Sequence, residues 1–266
     1  MAPVLKYPGA KWSLADWIIE HMPRHHSYLE PYFGSGAVLF RKPVSNIETV
    51  NDLDGDIVNL FSIIRDCPEK LSKLVAATPY SRAEYHEAYL HTEDPFETAR
   101  RFLVRCCQGH GFRTNGYKVG WKNDVQGRER AYALKNWYQL PLVIEKVSER
   151  LRMVQIENMP ALDLIKRFKY PNVLIYADPP YVLSTRSGKQ YKHEMTYTDH
   201  IELLEILDQH PGPVLLSGYA CDLYDDRLKH WERRTAKALA EGGREREEVL
   251  WINPVAAEEM LSLRLF

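Results

Sequence analysis

The chain has 266 residues, 45% hydrophobic and 27% charged, enough to bury a full sheet as one large domain or as a core domain carrying an insertion. Its formal net charge of −1 excludes a global basic field, so any polyanionic partner has to be met by a local patch. The opening MAPVLKYPGAKWS lacks an apolar leader and nowhere does the chain approach the roughly 18 uncharged apolar residues of a membrane span, so a cytoplasmic protein without membrane contact is expected.

Residues 1–66 read as the start of an α/β sheet. HSYLEPYFGSGAVLF predicts a short strand reaching Glu30, a loop with Gly34 and Gly36, and a helix from about Ala37. IETVNDLDGDIVNLFSIIRD repeats the scheme with a strand ending at Asp52 and a helix whose Ile57, Leu60, Phe61 and Ile64 share one face.

Residues 67–154 change character. SRAEYHEAYLHTEDPFETARRFLVRCCQ is helical in pattern, with Tyr80 just before it and Tyr85 and Tyr89 within it at packing intervals, and GHGFRTNGYKVGWKNDVQGRER then mixes glycine, aromatic and basic residues without a period. Between Gln108 and Arg130, five basic residues (Arg113, Lys118, Lys122, Arg128, Arg130) face two acids (Asp124, Glu129), a local excess of +3. YQLPLVIEKVSERLRMV resumes as an amphipathic helix.

The α/β pattern returns from residue 155. NVLIYAD is a buried-type strand, TDHIELLEILDQH a helix with Thr198 as its N-cap, GPVLLSGY a strand, DLYDDRLKHW a helix, and RRTAKALA with REEVLWINPV a closing hairpin. The expected organisation is therefore a split catalytic domain, 1–66 and 155–266, with 67–154 inserted. Cys67, Cys106, Cys107 and Cys221 form no C-x-x-C pair and the ten histidines show no ligand spacing, so a reduced chain without a metal site is expected.

Two stretches carry chemistry. In EPYFGSG, glycines just past a first parallel strand let backbone approach a ligand in the crevice, although a plain tight turn explains them equally well. Asp52, at the end of the next strand, can accept hydrogen bonds from ribose hydroxyls or be a solvated turn acid in NDLDGD. In LIYADPPYVLS, Asp178 is acceptor-only when ionised, the Pro179 carbonyl is a second acceptor, and Pro180 withholds the competing amide hydrogen. Two acceptors facing one point suit an exocyclic amine, and Tyr181 offers a flat face to the ring that bears it. A strand ended by a proline turn accounts for Pro179 and Pro180 but not for the flanking acid and aromatic.

These segments, with LKYPGAKWSLADWI at the start and EEVLWIN near the end, resemble the D12 class of N6-adenine-specific DNA methyltransferases, the Dam-type family with the group-alpha motif order. The resemblance spans roughly residues 4–66 and 155–254 and is thin between them. It implies a Rossmann-like, S-adenosylmethionine-dependent methyltransferase sheet with an inserted, mainly helical DNA-recognition domain at 67–154. It also implies methyl transfer to an extruded adenine in a specific double-stranded DNA sequence.

By position, the resemblance implies cofactor contacts from Tyr7, Lys11, Glu30, Phe33, Gly34, Gly36, Asp52 and Asp178, and a catalytic Asp178-Pro179-Pro180-Tyr181. The chain departs from the family's pattern at QIENMPALDLI, where relatives often carry an acid near the cofactor's adenine and Asn158, Met159 and Pro160 stand here, with Asn158 as the expected cofactor contact. Arg113, Lys118, Lys122, Arg128 and Arg130 are the expected phosphate contacts, and Asn115 and Asn123 the expected base readers. A monomer is expected, with a cognate restriction endonuclease as an open partner. Cytosine N4, RNA adenine or a protein glutamine as acceptor, and an inactive DNA-binding homologue, are the alternatives.

Overall fold

The computed structural model describes residues 2–123, 132–186, 188–239 and 245–264. Seven strands form one sheet: β1 (Ser27–Glu30), β2 (Ile47–Asn51), β3 (Val154–Glu157), β4 (Val173–Ala177), β5 (Val214–Gly218), β6 (Glu232–Leu239) and β7 (Glu245–Ile252). Their order is β3-β2-β1-β4-β5-β7-β6. The first five are parallel, β7 runs antiparallel to β5, and β6 closes a hairpin on β7.

Strand period two sorts the side chains onto two apolar layers. Leu174 and Tyr176 face one layer, and Val173, Ile175 and Ala177 face the other. The first layer is covered by α1 (Ala15–Glu20), α2 (Gly55–Asp66), α3 (Pro68–Ala77), α4 (Arg82–Glu87), α5 (Pro95–Gln108) and α6 (Tyr132–Leu151). The second is covered by α7 (Ala161–Arg167), α8 (Tyr197–Asp208) and α9 (Asp222–Arg227); α10 (Pro254–Arg264) returns Ala256 to the first. The expected face of α2 is realised, with Ile57, Leu60, Phe61 and Ile64 all fully buried.

Several local expectations shift. Residues 37–42 form successive turns where a helix is expected, with Phe40 N donating to Gly36 O at 3.0 Å and Arg41 N to Val38 O at 3.1 Å. Gly36 sits at φ +67° against the rings of Phe33 and Phe40, a packing that curls the chain away from a regular helix. The strand expected to end at Asp52 pairs only through Asn51. The long helical pattern of 81–108 breaks into α4 and α5, because Asp94 caps Phe96 N at 2.8 Å and Pro95 starts a new helix. Thr196, not Thr198, caps α8, in a reciprocal capping box with Asp199.

The segment 67–154 is helical but has no apolar core of its own among the described residues, since α3 to α6 join the layer that covers the sheet. The last turn of α6 is tied to the sheet directly, because Arg150 donates to Glu48 of β2 and to the Leu39 carbonyl.

Phe61 of α2 packs at 4.8 Å between ring centroids on Phe33 and 5.8 Å on Phe40, so the helix core and the glycine loop share one aromatic cluster. Phe61→Ala is expected to cost about 3–5 kcal/mol, read as a lowered denaturant midpoint.

Candidate functional site

The chain order reverses between β1 and β4. β2 and β3 lie to one side of β1, whereas β5 lies beyond β4, and the loops at the carboxyl ends of the parallel strands part there. A cavity of about 290 Å³ opens at this point, walled by the loops after β1, β2, β3 and β4, by residues 7–11 and by residues 191–195.

Its floor is a buried charge cluster. Asp178 leaves β4 at the sheet edge and receives the Lys11 ammonium at 3.0 Å and the Tyr181 hydroxyl at 3.1 Å, both on Oδ1. Lys11 also donates to the Gly9 carbonyl at 2.8 Å and lies 3.4 Å from Glu248 of β7. Tyr181 makes a second, close hydrogen bond to Glu248. Its ring is packed at 4.6 Å by Tyr219, with the Lys11 ammonium 4.8 Å from its centroid, so ring surface expected to receive a base is in contact with protein. Among the described residues, no hydrogen bond ends on the Pro179 carbonyl, and Pro179 and Pro180 both line the cavity.

Burial pushes the Asp178 and Glu248 carboxyls above their ordinary values even though Lys11 draws both down. Glu30, at the end of β1, is driven further, to about 8, by burial against a Tyr28 hydroxyl bond of 2.8 Å, with Asp178 adding repulsion. Lys11 is held charged: the cost of burial is outweighed by Asp178 and Glu248.

The second half of the cavity lies over β1 and β2. Gly34 adopts φ +50° with the Tyr7 ring 3.3 Å from where a Cβ would stand. Its N–H donates to Asp52 Oδ2 at 2.8 Å, and Asp54 N donates to Oδ1 at 2.9 Å. Asp52 thereby joins the glycine loop to the turn before α2, where the Leu53 amide adds a further backbone contact. Burial raises its pKa to about 6. Leu53, Pro160, Ala161 and Leu162 add an apolar wall beside it.

The cavity lining thus brings together Tyr7, Lys11, Glu30, Phe33, Gly34, Asp52 and Asp178–Tyr181. Gly36 and Asn158 do not line it. Gly36 is required by packing, with ring atoms of Phe33 and Phe40 2.5 Å from a would-be Cβ, and the Asn158 amide donates to the Asp52 carbonyl at 2.7 Å.

Of the expected DNA contacts, Arg113, Asn115 and Lys118 lie on a loop closed by the bridge Gly109–Trp121, and Lys122 and Asn123 follow it. Arg113, Asn115, Lys118 and Asn123 are exposed, and Lys122 is half-buried with its ammonium on the Tyr132 hydroxyl. Asn115 is committed to protein, donating to the Lys189 carbonyl at 3.0 Å and accepting from Tyr117 N at 3.2 Å. Arg128 and Arg130, with Asp124 and Glu129, lie outside the described residues.

The same loop reaches the cavity through Thr114, whose N–H donates to Gln190 O at 3.0 Å and whose hydroxyl accepts from Lys192 N at 2.8 Å. Tyr191 donates to Pro8 O at 3.2 Å, and the Lys192 ammonium lies 3.3 Å from Asp54. Sequence reasoning missed Glu248, Asp54, Thr114, Tyr191 and Lys192. The only signal for the last two was their closeness to Asp178-Pro179-Pro180-Tyr181; Glu248 sat in a segment matched to the family close without a role.

Residues 7–241 match the family model for D12 class N6 adenine-specific DNA methyltransferases. A relative named type II methyltransferase M1.LlaDCHI, from Lactococcus lactis subsp. cremoris, is 26% identical over 260 residues, spanning 91% of this chain and 90% of its own length. The DNA adenine methylase of Escherichia coli K12 is 24% identical over 261 residues, spanning 92% and 91%. The type II methyltransferase M.MjaIII of Methanocaldococcus jannaschii is 22% identical over 259 residues, spanning 84% and 86%.

The Glu30 carboxyl sets a pH dependence. Its pKa rises from 4.5 to about 8 on folding, so the native state holds a proton that the unfolded chain has lost, and stability falls as pH rises through that window. Glu30→Gln, which keeps an oxygen for the Tyr28 hydroxyl, is expected to flatten that slope and to melt higher than the parent above pH 8. Thermal unfolding across pH measures it, and an unchanged slope would exclude Glu30 as its source.

Proposed function

The chain belongs to the D12 class of N6-adenine-specific DNA methyltransferases and methylates adenine N6 in DNA, and we propose that Asp178 and the Pro179 carbonyl grip the target amine beside S-adenosylmethionine held in the same cavity. The observation that carries this reading is the placement of Asp178. It stands at the strand-order reversal with Oδ1 already engaged by Lys11 and Tyr181, on the wall of a cavity that also contains the Pro179 carbonyl.

The residues fit the donor. The cavity lining includes six carboxyl groups, Glu30, Asp52, Asp54, Asp178, Glu194 and Asp199, against Lys11 and Lys192. Burial lifts Glu30, Asp52 and Asp178. A ligand with fixed positive charge relieves that excess. When bound, S-adenosylmethionine supplies a methyl group on a positively charged sulfur. Tyr7, Lys11, Glu30, Phe33, Gly34 and Asp52 would hold it, Asp52 accepting from ribose hydroxyls and Leu53, Pro160, Ala161 and Leu162 packing on the adenine. Asn158 is left out of this set.

The chain's own part in the reaction follows from the weakness of the nucleophile. The lone pair of the adenine amine is delocalised into the ring, and hydrogen bonds from its two N–H groups to Asp178 and to Pro179 O draw the nitrogen toward a tetrahedral form with a localised pair. Positioning of the two reactants can contribute roughly 7–11 kcal/mol. In a duplex the amine is inaccessible, so the base is extruded beside Tyr181 at a cost of a few kcal/mol, offset by phosphate contacts from Arg113 and Lys118 on the exposed loop.

The proposal assigns 67–154 to DNA recognition, although its helices share the sheet's core. The site is complete within one copy of the chain, which supports a monomer. The two type II relatives extend the proposal to a cognate restriction endonuclease. The family's DNA substrate supports a cytoplasmic role, and among the described residues no helix is long and apolar enough to cross a membrane.

Asp178→Ala is expected to lower methyl transfer by about 10²-fold or more while leaving DNA affinity within a few-fold, measured as tritium passing from labelled S-adenosylmethionine to plasmid DNA. Near-normal turnover would remove Asp178 from the site. Arg113→Ala with Lys118→Ala should reduce the slope of log K against log salt by about 1–2, at roughly 0.9 per phosphate lost. A slope equal to the parent's would take the loop out of the phosphate-binding surface.

A further inference from the structure

Glu248 is only 3% exposed although it sits in the acid-rich run Glu245–Glu248. Its position follows from strand direction. β7 is antiparallel to β5, with Val249 opposite Gly218 at the end of the pairing, so Glu248 is carried one step past the carboxyl end of β5. There it meets Lys11 and Tyr181.

Counting donors shows what it does. The Lys11 ammonium has three N–H groups and three oxygens around it: Gly9 O at 2.8 Å, Asp178 Oδ1 at 3.0 Å and Glu248 Oε1 at 3.4 Å. Tyr181 has one hydroxyl proton and two acceptors, Asp178 Oδ1 at 3.1 Å and the closer Glu248 Oε1. Glu248 therefore shares the tyrosine proton with Asp178 and takes one N–H of the lysine. Without it both donors fall on Asp178, and each withdraws charge from the carboxylate that accepts the substrate amine.

We propose that Glu248 is a positioning residue for methyl transfer: as an oxygen acceptor for Tyr181 and Lys11, it keeps the Asp178 carboxylate oriented and electron-rich toward the target amine. This rests on the reading of Asp178 as the amine's acceptor. Glu248 touches neither reactant, so its effect belongs on the chemical step and not on affinity.

The test compares Glu248→Ala and Glu248→Gln with the parent in single-turnover transfer from labelled S-adenosylmethionine to plasmid DNA, with separate DNA and donor binding measurements. Alanine is expected to slow the transfer step about 10-fold or more with both affinities within about 3-fold, and glutamine, which keeps the oxygen, to stay within about 3-fold of the parent rate. An alanine variant with the parent's rate overturns the proposal. So does a glutamine variant as slow as alanine, since charge and not the oxygen would then be what matters.

Tyr181→Phe is the second variant and carries the test if the alanine protein does not fold. Although it leaves one donor fewer on Asp178, it removes the hydroxyl that links Asp178 to Glu248, and losing that orienting link should lower the single-turnover rate without weakening DNA binding, whereas an unchanged rate counts against the proposal. Asp178→Ala run beside these separates the two levels. If it retains turnover the reading of the site fails, and if it is inactive while Glu248→Ala is normal only the role of Glu248 fails.

Discussion

The Lys11 ammonium is the contact on which the site depends. It comes from near the start of the chain and is buried to 6% exposure between two acids from the last third, Asp178 after β4 and Glu248 on β7. Removing such groups from water is costly, and only close pairing with every donor placed makes it tolerable. One cation serves two acids, with Glu30 nearby as a third, so the cluster cannot be neutral with all three ionised. The structure accommodates this unevenly. Lys11 stays charged, whereas burial moves all three carboxyls upward, Glu30 most clearly. A pocket under that tension favours a cationic ligand before any specific contact is considered.

The sheet explains why the cluster can be built at all. Parallel strands deliver loops to one edge, and Gly34, Asp52 and Asp178 all come from such loops. A side chain from the first half of a strand reaches that edge only when the strand runs the other way. The antiparallel β7 supplies it, and the β6–β7 hairpin thus adds to the site as well as closing the sheet. On the other side of the reversal, Asp52 fixes the two neighbouring loops by accepting an N–H from each, so the cavity's acid-rich end and its apolar wall are held at a set spacing.

Much of this was legible in the sequence because it rests on periodicity. The apolar run LIYA marked a buried strand, the 57-60-61-64 face fixed α2, and Asp178-Pro179-Pro180-Tyr181 marked that strand's end. What was not legible depends on contacts between distant segments. Glu248 lies in an acid run that local reasoning assigns to solvent, and only strand direction turns it inward. Gly36 stands in the glycine motif yet serves the aromatic packing of Phe33 and Phe40, which no local pattern separates from ligand approach. Asn158 occupies the expected register but its amide is drawn to the Asp52 backbone. The insertion, distinct in composition, is not distinct in packing, because α6 must return along α2 before β3 can enter the sheet.

The basic loop bears on how recognition and chemistry are joined. Asn115, which its chemistry recommends as a base reader, instead holds the Lys189 carbonyl, while Thr114 beside it binds Gln190 and Lys192. Three consecutive ties therefore run from the loop that presents Arg113 and Lys118 to the segment that presents Tyr191, and Lys192 continues to Asp54 at the cap of α2. The segment itself is braced by the Arg186–Glu194 pair, with Arg186 donating to the Tyr181 carbonyl at 2.7 Å. Under the proposed phosphate contacts, a force applied to the loop is thus passed to the wall of the cavity and to the residue following Pro180 through hydrogen bonds and ion pairs. The loop proposed to meet the nucleic acid and the wall that shapes the pocket form one connected unit, so under that proposal a strand seated in the wrong register disturbs the geometry around Asp178 and does not merely bind less tightly.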